Sequence, residues 1–524
     1  MALVIPSQFN LASYFLDRPA EEHPDRIAIA GEPDPVCYGE LRRLANQAGN
    51  ALLGLGCGPG ARVLIVLPDS PEFIASFFGA VKVGSIAVPV NPMTRATDYA
   101  YYLADSGAKV AIVHALALGE FLHAAENSEL RQVIVVGSAE ETPSGPGHLR
   151  WEDVVLNASG DLSAYASAAT DSAFFLYTSG SGGRPKAAIH QHKDMLVTSQ
   201  SFAQGVLGLR EDDRTFSVSK LFFAYGLGNG MYFPLSVGAT TILNPERPRA
   251  EKVLEMVIQH RPTVFFSVPT FYASLLRAVA HGAAADFSSV RLAVSAGEWL
   301  PPEIFSQFKK RFGLEILDGI GSTEMLHMFL SSRPGDVRPG SCGVEIPNYE
   351  ARIVDENGIQ LPRGEVGSLW VRGQSAFSGY WNKPELTERT KRQDWVVTGD
   401  QFFQGPEGYF HYFGRTDDMM KVAGMWVSPG EVENALLGHP SVAEAAVVSA
   451  ITVDGLTRAK AFVVLQGGIV GGRELEQEIY EFVRARLVSY KCPQEIEFVG
   501  ELPKTATGKI QRYRLRGPAG QGSG

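Results

Sequence analysis

A ten-residue segment, Tyr177–Lys186, has a composition suited to binding phosphate. Its sequence, Y-T-S-G-S-G-G-R-P-K, contains three glycines, three serine or threonine residues and two cations. Glycine is unfavourable inside helices and strands because it loses much backbone entropy when ordered. A loop of this kind can surround phosphate oxygens with backbone N–H groups, hydroxyls and a cation. The apolar run Ala173–Leu176 before it predicts a buried strand. We therefore predict a nucleotide-binding loop after a strand, with a flexible surface loop as the alternative.

The loop matches neither of two common nucleotide-binding patterns. A Walker A loop requires G-x-x-x-x-G-K followed by serine or threonine, whereas Gly508-Lys509 is followed by Ile510. The dinucleotide fingerprint G-x-G-x-x-G fails as well, because Pro185 stands where its third glycine should be. These departures exclude a P-loop NTPase and argue against a dehydrogenase.

Four further segments combine small residues with a charged side chain. They are Ser295–Glu298 (S-A-G-E), Asp318–Glu324 (D-G-I-G-S-T-E), Thr398–Asp400 (T-G-D) and Pro503–Lys509 (P-K-T-A-T-G-K). Any one of them alone would as readily be an acidic turn or a solvated surface. Taken in this order with the phosphate loop, they resemble the adenylate-forming superfamily of acyl-CoA synthetases, luciferases and peptide-synthetase adenylation domains. The resemblance covers nearly the whole chain.

The phosphate loop departs from that superfamily at two positions. Relatives usually read [YF]-T-S-G-[ST]-T-G-x-P-K-G, whereas this chain has Gly182 for the usual threonine and Ala187 for the usual glycine. Because glycine at position 182 lacks the hydroxyl of threonine, we expect weaker binding of ATP than in a loop with threonine there. A non-catalytic acyl-AMP or nucleotide binder with a decayed loop is the corresponding alternative.

The resemblance implies that ATP, Mg²⁺ and coenzyme A are bound by defined residues. Asp318 would accept a hydrogen bond from the adenine amine, Thr323 would donate to the α-phosphate, and Glu324 would bind Mg²⁺ as a hard oxygen ligand. Asp400 would hold the ribose hydroxyls, with help from Arg415. The full set implied for ATP and coenzyme A is Thr178, Ser179, Gly180, Ser181, Gly183, Lys186, Gly297, Glu298, Asp318, Gly319, Ile320, Asp400, Arg415 and Gly424.

Lys509 is implied as the main catalytic residue, together with Thr323 and Glu324. A carboxylate that attacks a phosphate brings two anions together, and a positioned cation relieves that repulsion. The resemblance also implies a hinge at Asp417, about which a small domain rotates after adenylation. Rotation would withdraw Lys509 and bring the Lys421–Trp426 loop to the active site, with Gly424 lining the pantetheine tunnel. The thiol of coenzyme A would then attack the acyl-adenylate and release AMP.

The segment Leu221–Gly228, L-F-F-A-Y-G-L-G, is the most informative about the acid. With Ile320–His327 it resembles benzoate-CoA ligases in particular, and the residues implied for the acid are Phe223, Ala224, Tyr225, Ile320 and His327. Flat apolar walls suit a small aromatic ring. His327 would either contact a ring substituent or only pack behind the pocket.

The predicted substrate is therefore benzoate or a small amino- or hydroxybenzoate. Another small carboxylic acid is the alternative. A peptide-synthetase adenylation domain would need an acidic residue within Phe222–Tyr225 to pair with an amino acid, and none is present.

The elements that must position these residues alternate between apolar runs and amphipathic stretches. This pattern predicts an α/β fold, with parallel-rich sheets covered by helices in a large N-terminal domain of residues 1–415. Predicted strands include 63–67, 86–90, 110–113, 133–136, 263–267 and 292–295, with helices at 71–83, 250–259 and 302–311. A small, mobile α+β domain of residues 416–524 follows, with the hinge at 415–418. There, Ser428 and Glu431 predict a capped helix that ends near Leu437.

Length and charge bound the class of protein. The 524 residues are too many for one core, and 47 basic against 57 acidic residues give a net charge of −10. This charge argues against nucleic-acid binding. The four cysteines show no C-x-x-C spacing, and we find neither a signal peptide nor an apolar run long enough to span a membrane. We expect a cytoplasmic protein whose partners are a small aromatic acid and coenzyme A, and a homodimer is one alternative for its assembly.

Overall fold

The computed structural model describes residues 3–31, 34–126, 128–137, 147–178, 184–416, 418–422, 425–451, 457–504 and 510–516. It has an α/β fold with a large N-terminal and a small C-terminal domain. The strands form sheets of nine, seven, five, three and two strands. Within the described residues, no helix is long and apolar enough to cross a membrane.

The seven-stranded sheet carries the predicted phosphate loop near one edge. Its strands, in spatial order, are His148–Arg150, Gln132–Val136, Val110–His114, Arg62–Val66, Ile86–Pro89, Ser172–Thr178 and Lys186–Gln191. All neighbours are parallel except the last pair, which is antiparallel. Its helices include Tyr38–Gly54, Pro71–Lys82, Ala96–Ser106, Leu118–Ala125 and His192–Thr198.

The nine-stranded sheet carries most of the predicted acid and adenine residues. In spatial order its strands are Val344–Glu345, Met328–Ser331, Ile316–Gly321, Leu292–Ser295, Val264–Ser267, Arg214–Ser217, Thr240–Ile242, Ile27–Ala30 and Val36–Cys37. The central pairings are parallel, and the pairings at the two edges are antiparallel. The associated helices include Ala224–Leu227, Phe233–Ser236, Ala250–His260, Pro269–Ala280 and Pro302–Phe312.

The third sheet of the large domain is antiparallel throughout, unlike the parallel-rich pattern that the sequence predicts. It contains Tyr349–Val354, Gly367–Gly373, Lys391–Arg392, Trp395–Gln404 and Phe410–Arg415. These strands mix buried and exposed positions and contain bulges, so they lack the continuous apolar runs that mark buried parallel strands.

The small domain combines strands and helices, as the predicted α+β fold requires. Strands Val442–Ile451, Thr457–Leu465 and Glu495–Phe498 form one sheet beside helices Pro429–Leu437 and Arg473–Arg484, and Met420–Val422 pairs with Met425–Val427. The Ser428 hydroxyl accepts a hydrogen bond from the Glu431 N–H at 3.4 Å, as the predicted cap requires. The predicted strands and helices of both domains are confirmed, with ends that differ by a few residues.

Candidate active site

The phosphate loop begins and ends on two paired strands. Thr178, the last residue of one strand, lies opposite Lys186, the first residue of the next. The Tyr101 hydroxyl donates to the Pro185 carbonyl oxygen at 2.6 Å and so ties the returning chain to a neighbouring helix. Ser179, Gly180, Ser181 and Gly183, like Gly182, lie outside the described residues. Their predicted contacts with phosphate therefore stay predictions.

Lys186 and Glu324 meet at the mouth of this loop. The Lys186 ammonium lies 3.5 Å from the Glu324 carboxylate and donates to the Tyr380 hydroxyl at 2.7 Å. The Tyr380 hydroxyl in turn donates to Glu324. A cation, a carboxylate and a hydroxyl from three distant parts of the chain thus form one cluster.

The cluster keeps Glu324 ionised. Burial alone would raise the pKa of this carboxyl, but the Lys186 charge and the Tyr380 hydrogen bond outweigh it, so the pKa lies below its ordinary value. The predicted metal ligand is therefore an anion at neutral pH. No group of three or more metal-ligating side chains occurs among the residues that the structure describes.

Thr323 is positioned by a buried histidine that the sequence did not single out. His190 is fully buried, with its Nε2 2.8 Å from the Thr323 carbonyl oxygen and its Nδ1 2.9 Å from Asp194. Because a carbonyl oxygen only accepts, Nε2 must carry a proton. The turn Thr323–Met325 is also capped by the Ser322 hydroxyl, so the segment before Glu324 is held from both sides.

Asp318 is a buried carboxyl group whose two oxygens make no hydrogen bond of ordinary geometry to the described residues. It lies opposite Ser295 on the adjacent parallel strand, and the residue is 4% exposed. Burial raises its pKa well above the ordinary value, and the nearby Gly319 and Leu300 N–H groups and Ser295 hydroxyl offset this only in part. A buried polar group of this kind is a place for a ligand that donates hydrogen bonds.

Two glycines let the strand that carries Asp318 approach its neighbour. A Cβ on Gly319 would lie 2.5 Å from the Leu330 carbonyl oxygen, and one on Gly321 would lie 2.5 Å from that of His327. Ile320, between them, packs against the main core. Gly297 and Glu298 come shortly after Ser295, the last residue of its strand. This strand is the parallel neighbour of the strand that carries Asp318, so the two predicted adenine segments lie side by side.

Asp400 and Arg415 pair across two strands of the antiparallel sheet. They are register partners, and the Arg415 guanidinium donates to Asp400 at 3.0 Å and to the Thr398 carbonyl oxygen at 3.1 Å. Gly399 has φ +77°, and a Cβ there would lie 3.0 Å from the Arg415 guanidinium. Glycine therefore allows both the turn and the ion pair.

The predicted acid residues lie in one apolar cluster. Phe223 precedes the short helix Ala224–Leu227, and the rings of Tyr225 and His327 lie 5.4 Å apart. Phe223, Ala224, Tyr225 and Ile320 all pack against the same core. The structure thus places four of the five predicted acid residues against one core and His327 beside Tyr225, and their roles stay predictions.

His327 is neutral and incompletely hydrogen-bonded. Burial lowers its pKa to about 3. Its Nε2 lies 3.1 Å from the Asn229 Oδ1, whereas its Nδ1 and the Asn229 Nδ2 make no hydrogen bond of ordinary geometry among the described residues, although the Tyr225 backbone lies near the imidazole and the Tyr225 hydroxyl near the Asn229 amide. Because Nε2 must donate to the amide oxygen, Nδ1 is left as an acceptor and the amide as a donor.

Three predicted residues of the small domain and hinge, Lys509, Gly424 and Asp417, lie outside the described residues. The chain on both sides of Lys509 is described, and Lys504 pairs with Ile510 in an antiparallel bridge.

Sequence reasoning missed Tyr380, His190 and Asn229. Nothing local marks Tyr380, because its partners are 194 and 56 residues away in the chain. His190 and Asp194 are four residues apart, but His190 lies in the strand Lys186–Gln191 and Asp194 in the first turn of the helix His192–Thr198. Asn229 lies one residue beyond the segment that predicted the acid pocket.

The chain is similar to known proteins over nearly its whole length. The model of the AMP-binding enzyme family matches residues 16–381, and that of the AMP-binding enzyme C-terminal domain matches residues 431–509. The benzoate–CoA ligase of Thauera aromatica is 41% identical over 98% of this chain and 97% of its own length. The 3-hydroxybenzoate–CoA ligase of Aromatoleum sp. (strain CIB) is 39% identical over 94% and 93%. The crystal structure of the anthranilate CoA ligase AuaEII with anthranoyl-AMP has a TM-score of 0.93 at 39% identity, covering 98% and 97% of the two chains.

Proposed function

This chain belongs to the AMP-binding enzyme family as an AMP-forming aryl-CoA ligase, and we propose that its acid is benzoate or a small hydroxy- or aminobenzoate. The observation that carries this proposal is the apolar cluster of Phe223, Ala224, Tyr225 and Ile320 with neutral His327 as its polar group. Apolar walls favour an aromatic ring. A second carboxylate on the substrate would need a cation as its partner, and the neutral imidazole does not supply one. Relatives that use benzoate, 3-hydroxybenzoate and anthranilate support the same class.

The unpaired atoms of His327 and Asn229 favour a ring substituent that forms hydrogen bonds. A buried polar atom without a partner destabilises its site by about 1–3 kcal/mol. A hydroxyl on the ring can donate to the His327 Nδ1, and an amino group can do the same. We therefore infer that a hydroxy- or aminobenzoate that reaches His327 is used better than benzoate itself.

The nucleotide residues fit ATP. Asp318, buried and unpaired among the described residues, suits the adenine amine, and the Asp400–Arg415 pair suits the ribose hydroxyls. Lys186 and the loop after Thr178 would bind the phosphates. Glu324, held as an anion, fits Mg²⁺ as its protein ligand, and the ion would neutralise phosphate charge when bound.

Lys509 would complete the adenylation site from the small domain, taken as residues 416–524 with the boundary at 415–418. The whole chain superposes on ATP-bound MatB of Rhodopseudomonas palustris with a TM-score of 0.87, against 0.76 for the apo form of the same protein. The greater likeness to the ATP-bound form supports the inference that the described arrangement is the one in which adenylation occurs. Rotation about Asp417 would then place Gly424 beside the thiol of coenzyme A.

The test is acid-dependent ATP–pyrophosphate exchange and AMP release across a panel of acids. The panel contains benzoate, the hydroxy- and aminobenzoates, and short aliphatic acids of similar volume. We expect activity with the benzoates and the highest kcat/KM with one substituted benzoate. Higher kcat/KM with the aliphatic acids would overturn the substrate proposal.

A further inference from the structure

An ionic bridge joins the two domains through Glu444. Arg277, on the large-domain helix Pro269–Ala280, donates to one carboxylate oxygen of Glu444 at 3.1 Å. Lys504 of the small domain lies 2.6 Å from the other oxygen. Glu444 belongs to the small-domain strand Val442–Ile451. One carboxylate therefore binds a cation from each domain.

The bridge is partly shielded from water and geometrically constrained. Glu444 has a side-chain exposure of 18%, and Arg277 and Lys504 of 30% each. The Arg277 guanidinium also donates to the Ser274 hydroxyl one turn earlier on the same helix, at 3.1 Å. Partial burial reduces screening by salt, and a second hydrogen bond limits the orientations open to the guanidinium.

Lys504 lies at the base of the loop that carries Lys509. Besides the bridge between Lys504 and Ile510, the Gln511 N–H donates to the Pro503 carbonyl oxygen at 2.8 Å. Both ends of the loop are thus fixed at the residue that binds Glu444. The Arg277 contact that holds Glu444 against the large domain therefore also holds Lys504 there.

We propose that Glu444 is a positioning residue that, through Arg277, favours the domain arrangement in which Lys509 serves adenylation. The inference rests on the proposed function, in which the small domain rotates between two half-reactions. The Glu444–Lys504 contact lies within the small domain and moves with it, whereas the Glu444–Arg277 contact crosses between domains and breaks on rotation. The Arg277 contact therefore stabilises the described arrangement relative to one in which the small domain has rotated away.

The experiment compares both half-reactions in the full-length protein. Adenylation is followed by benzoate- or hydroxybenzoate-dependent pyrophosphate exchange, and thioester formation by the reaction of supplied acyl-adenylate with coenzyme A. We expect Arg277→Ala to lower exchange about three- to tenfold while thioester formation is unchanged or faster. Arg277→Lys keeps the charge and should restore most of the exchange rate.

A matched control is Arg261→Ala, which removes an arginine–carboxylate pair within the large domain, 3.3 Å from Asp286. It should leave both half-reactions unchanged. In a Glu444→Gln background, Arg277→Ala should cause no further loss, because the partner is already gone. Raising the ionic strength should slow exchange more in the unchanged protein than in Arg277→Ala.

Two results would overturn the inference. One is an equal fall of both half-reactions in Arg277→Ala, which would indicate a general structural role. The other is unchanged exchange in that variant. If the unchanged protein shows no exchange with any acid of the panel, the proposed function itself is wrong, and this inference with it.

Discussion

The Tyr380 hydroxyl accepts a hydrogen bond from the Lys186 ammonium at 2.7 Å and donates one to the Glu324 carboxylate. Lys186 and Glu324 are thereby linked both directly and through a phenol. This geometry joins the phosphate loop to the predicted metal ligand. Tyr380 therefore helps Lys186 to keep Glu324 ionised and binds the Lys186 ammonium at the same time.

Tyr380→Phe should shift the acid limb of the pH–activity profile to higher pH. The Tyr380 hydrogen bond helps to hold the pKa of Glu324 below its ordinary value. Its loss raises that pKa, so the carboxylate is protonated, and ATP use declines, at a higher pH than in the unchanged protein. The measurement is kcat/KM for ATP between about pH 4 and 8, a range that extends below the ordinary pKa of a glutamate. Tyr409→Phe, which removes an exposed tyrosine–Asp336 bond, is the control. An acid limb at the same pH in both variants would contradict the role given to Tyr380.

Lys509→Ala should abolish most adenylation and spare thioester formation from supplied acyl-adenylate. The lysine offsets the repulsion between two anions only in the first half-reaction, and a charge effect of this kind is often a factor of about 10²–10³. Pyrophosphate exchange and thioester formation are measured separately. Lys310→Ala removes an exposed lysine of the large domain and serves as the control. Equal loss of both half-reactions would contradict the proposal that Lys509 acts in adenylation alone.

Gly182→Thr should lower KM for ATP by about two- to fivefold, because it restores one hydroxyl that can donate to a phosphate. Gly182→Val has nearly the same shape without the hydroxyl and should not lower KM. Initial rates at saturating acid and coenzyme A give both values. An unchanged or raised KM in Gly182→Thr counts against a weakened phosphate loop.

The sequence predicted the sheets wherever their strands are continuous apolar runs. Val110–His114 and Leu292–Ser295 are buried on both faces, so composition alone identifies them. The antiparallel sheet was missed because strands such as Trp395–Gln404 alternate irregularly between buried and half-exposed positions. Its two predicted site residues, Asp400 and Arg415, were identified by resemblance instead.

The contacts among site residues could not be predicted in the same way. Asp318 and Glu324 occur in a recognisable motif, but the absence of a partner for Asp318 among the described residues depends on how neighbouring strands pack. Tyr380 and His190 act through partners more than fifty residues away. Local sequence patterns do not indicate contacts between residues so far apart in the chain, so only the folded structure reveals them.

Stability against denaturant should fall as the pH is lowered from 7 to 5. Burial lowers the pKa of His192 to about 4 and that of His327 to about 3, whereas an unfolded histidine titrates near about 6.5. The unfolded chain therefore binds protons first as the pH falls, and each histidine removes roughly 2 kcal/mol of stability by about pH 5. Urea unfolding at the two pH values measures the change. His192→Gln should show a loss smaller by roughly 2 kcal/mol, and the exposed His123→Gln should behave like the unchanged protein. Equal losses in all three proteins would show that His192 does not contribute.

His327→Leu should lower kcat/KM for the preferred hydroxy- or aminobenzoate about tenfold, with a much smaller change for benzoate. The variant keeps an apolar wall but removes the acceptor that pairs with the substituent, and one such hydrogen bond contributes about 1–1.5 kcal/mol. Since the imidazole is neutral above about pH 4 when its pKa is about 3, the ratio of the two kcat/KM values should not vary between about pH 6 and 8. Phe233→Leu is the matched control, because the Phe233 ring lies 4.5 Å from the His327 ring and has no polar atom. It should change both substrates alike. Equal losses for both substrates in His327→Leu would mean that this histidine only packs behind the pocket.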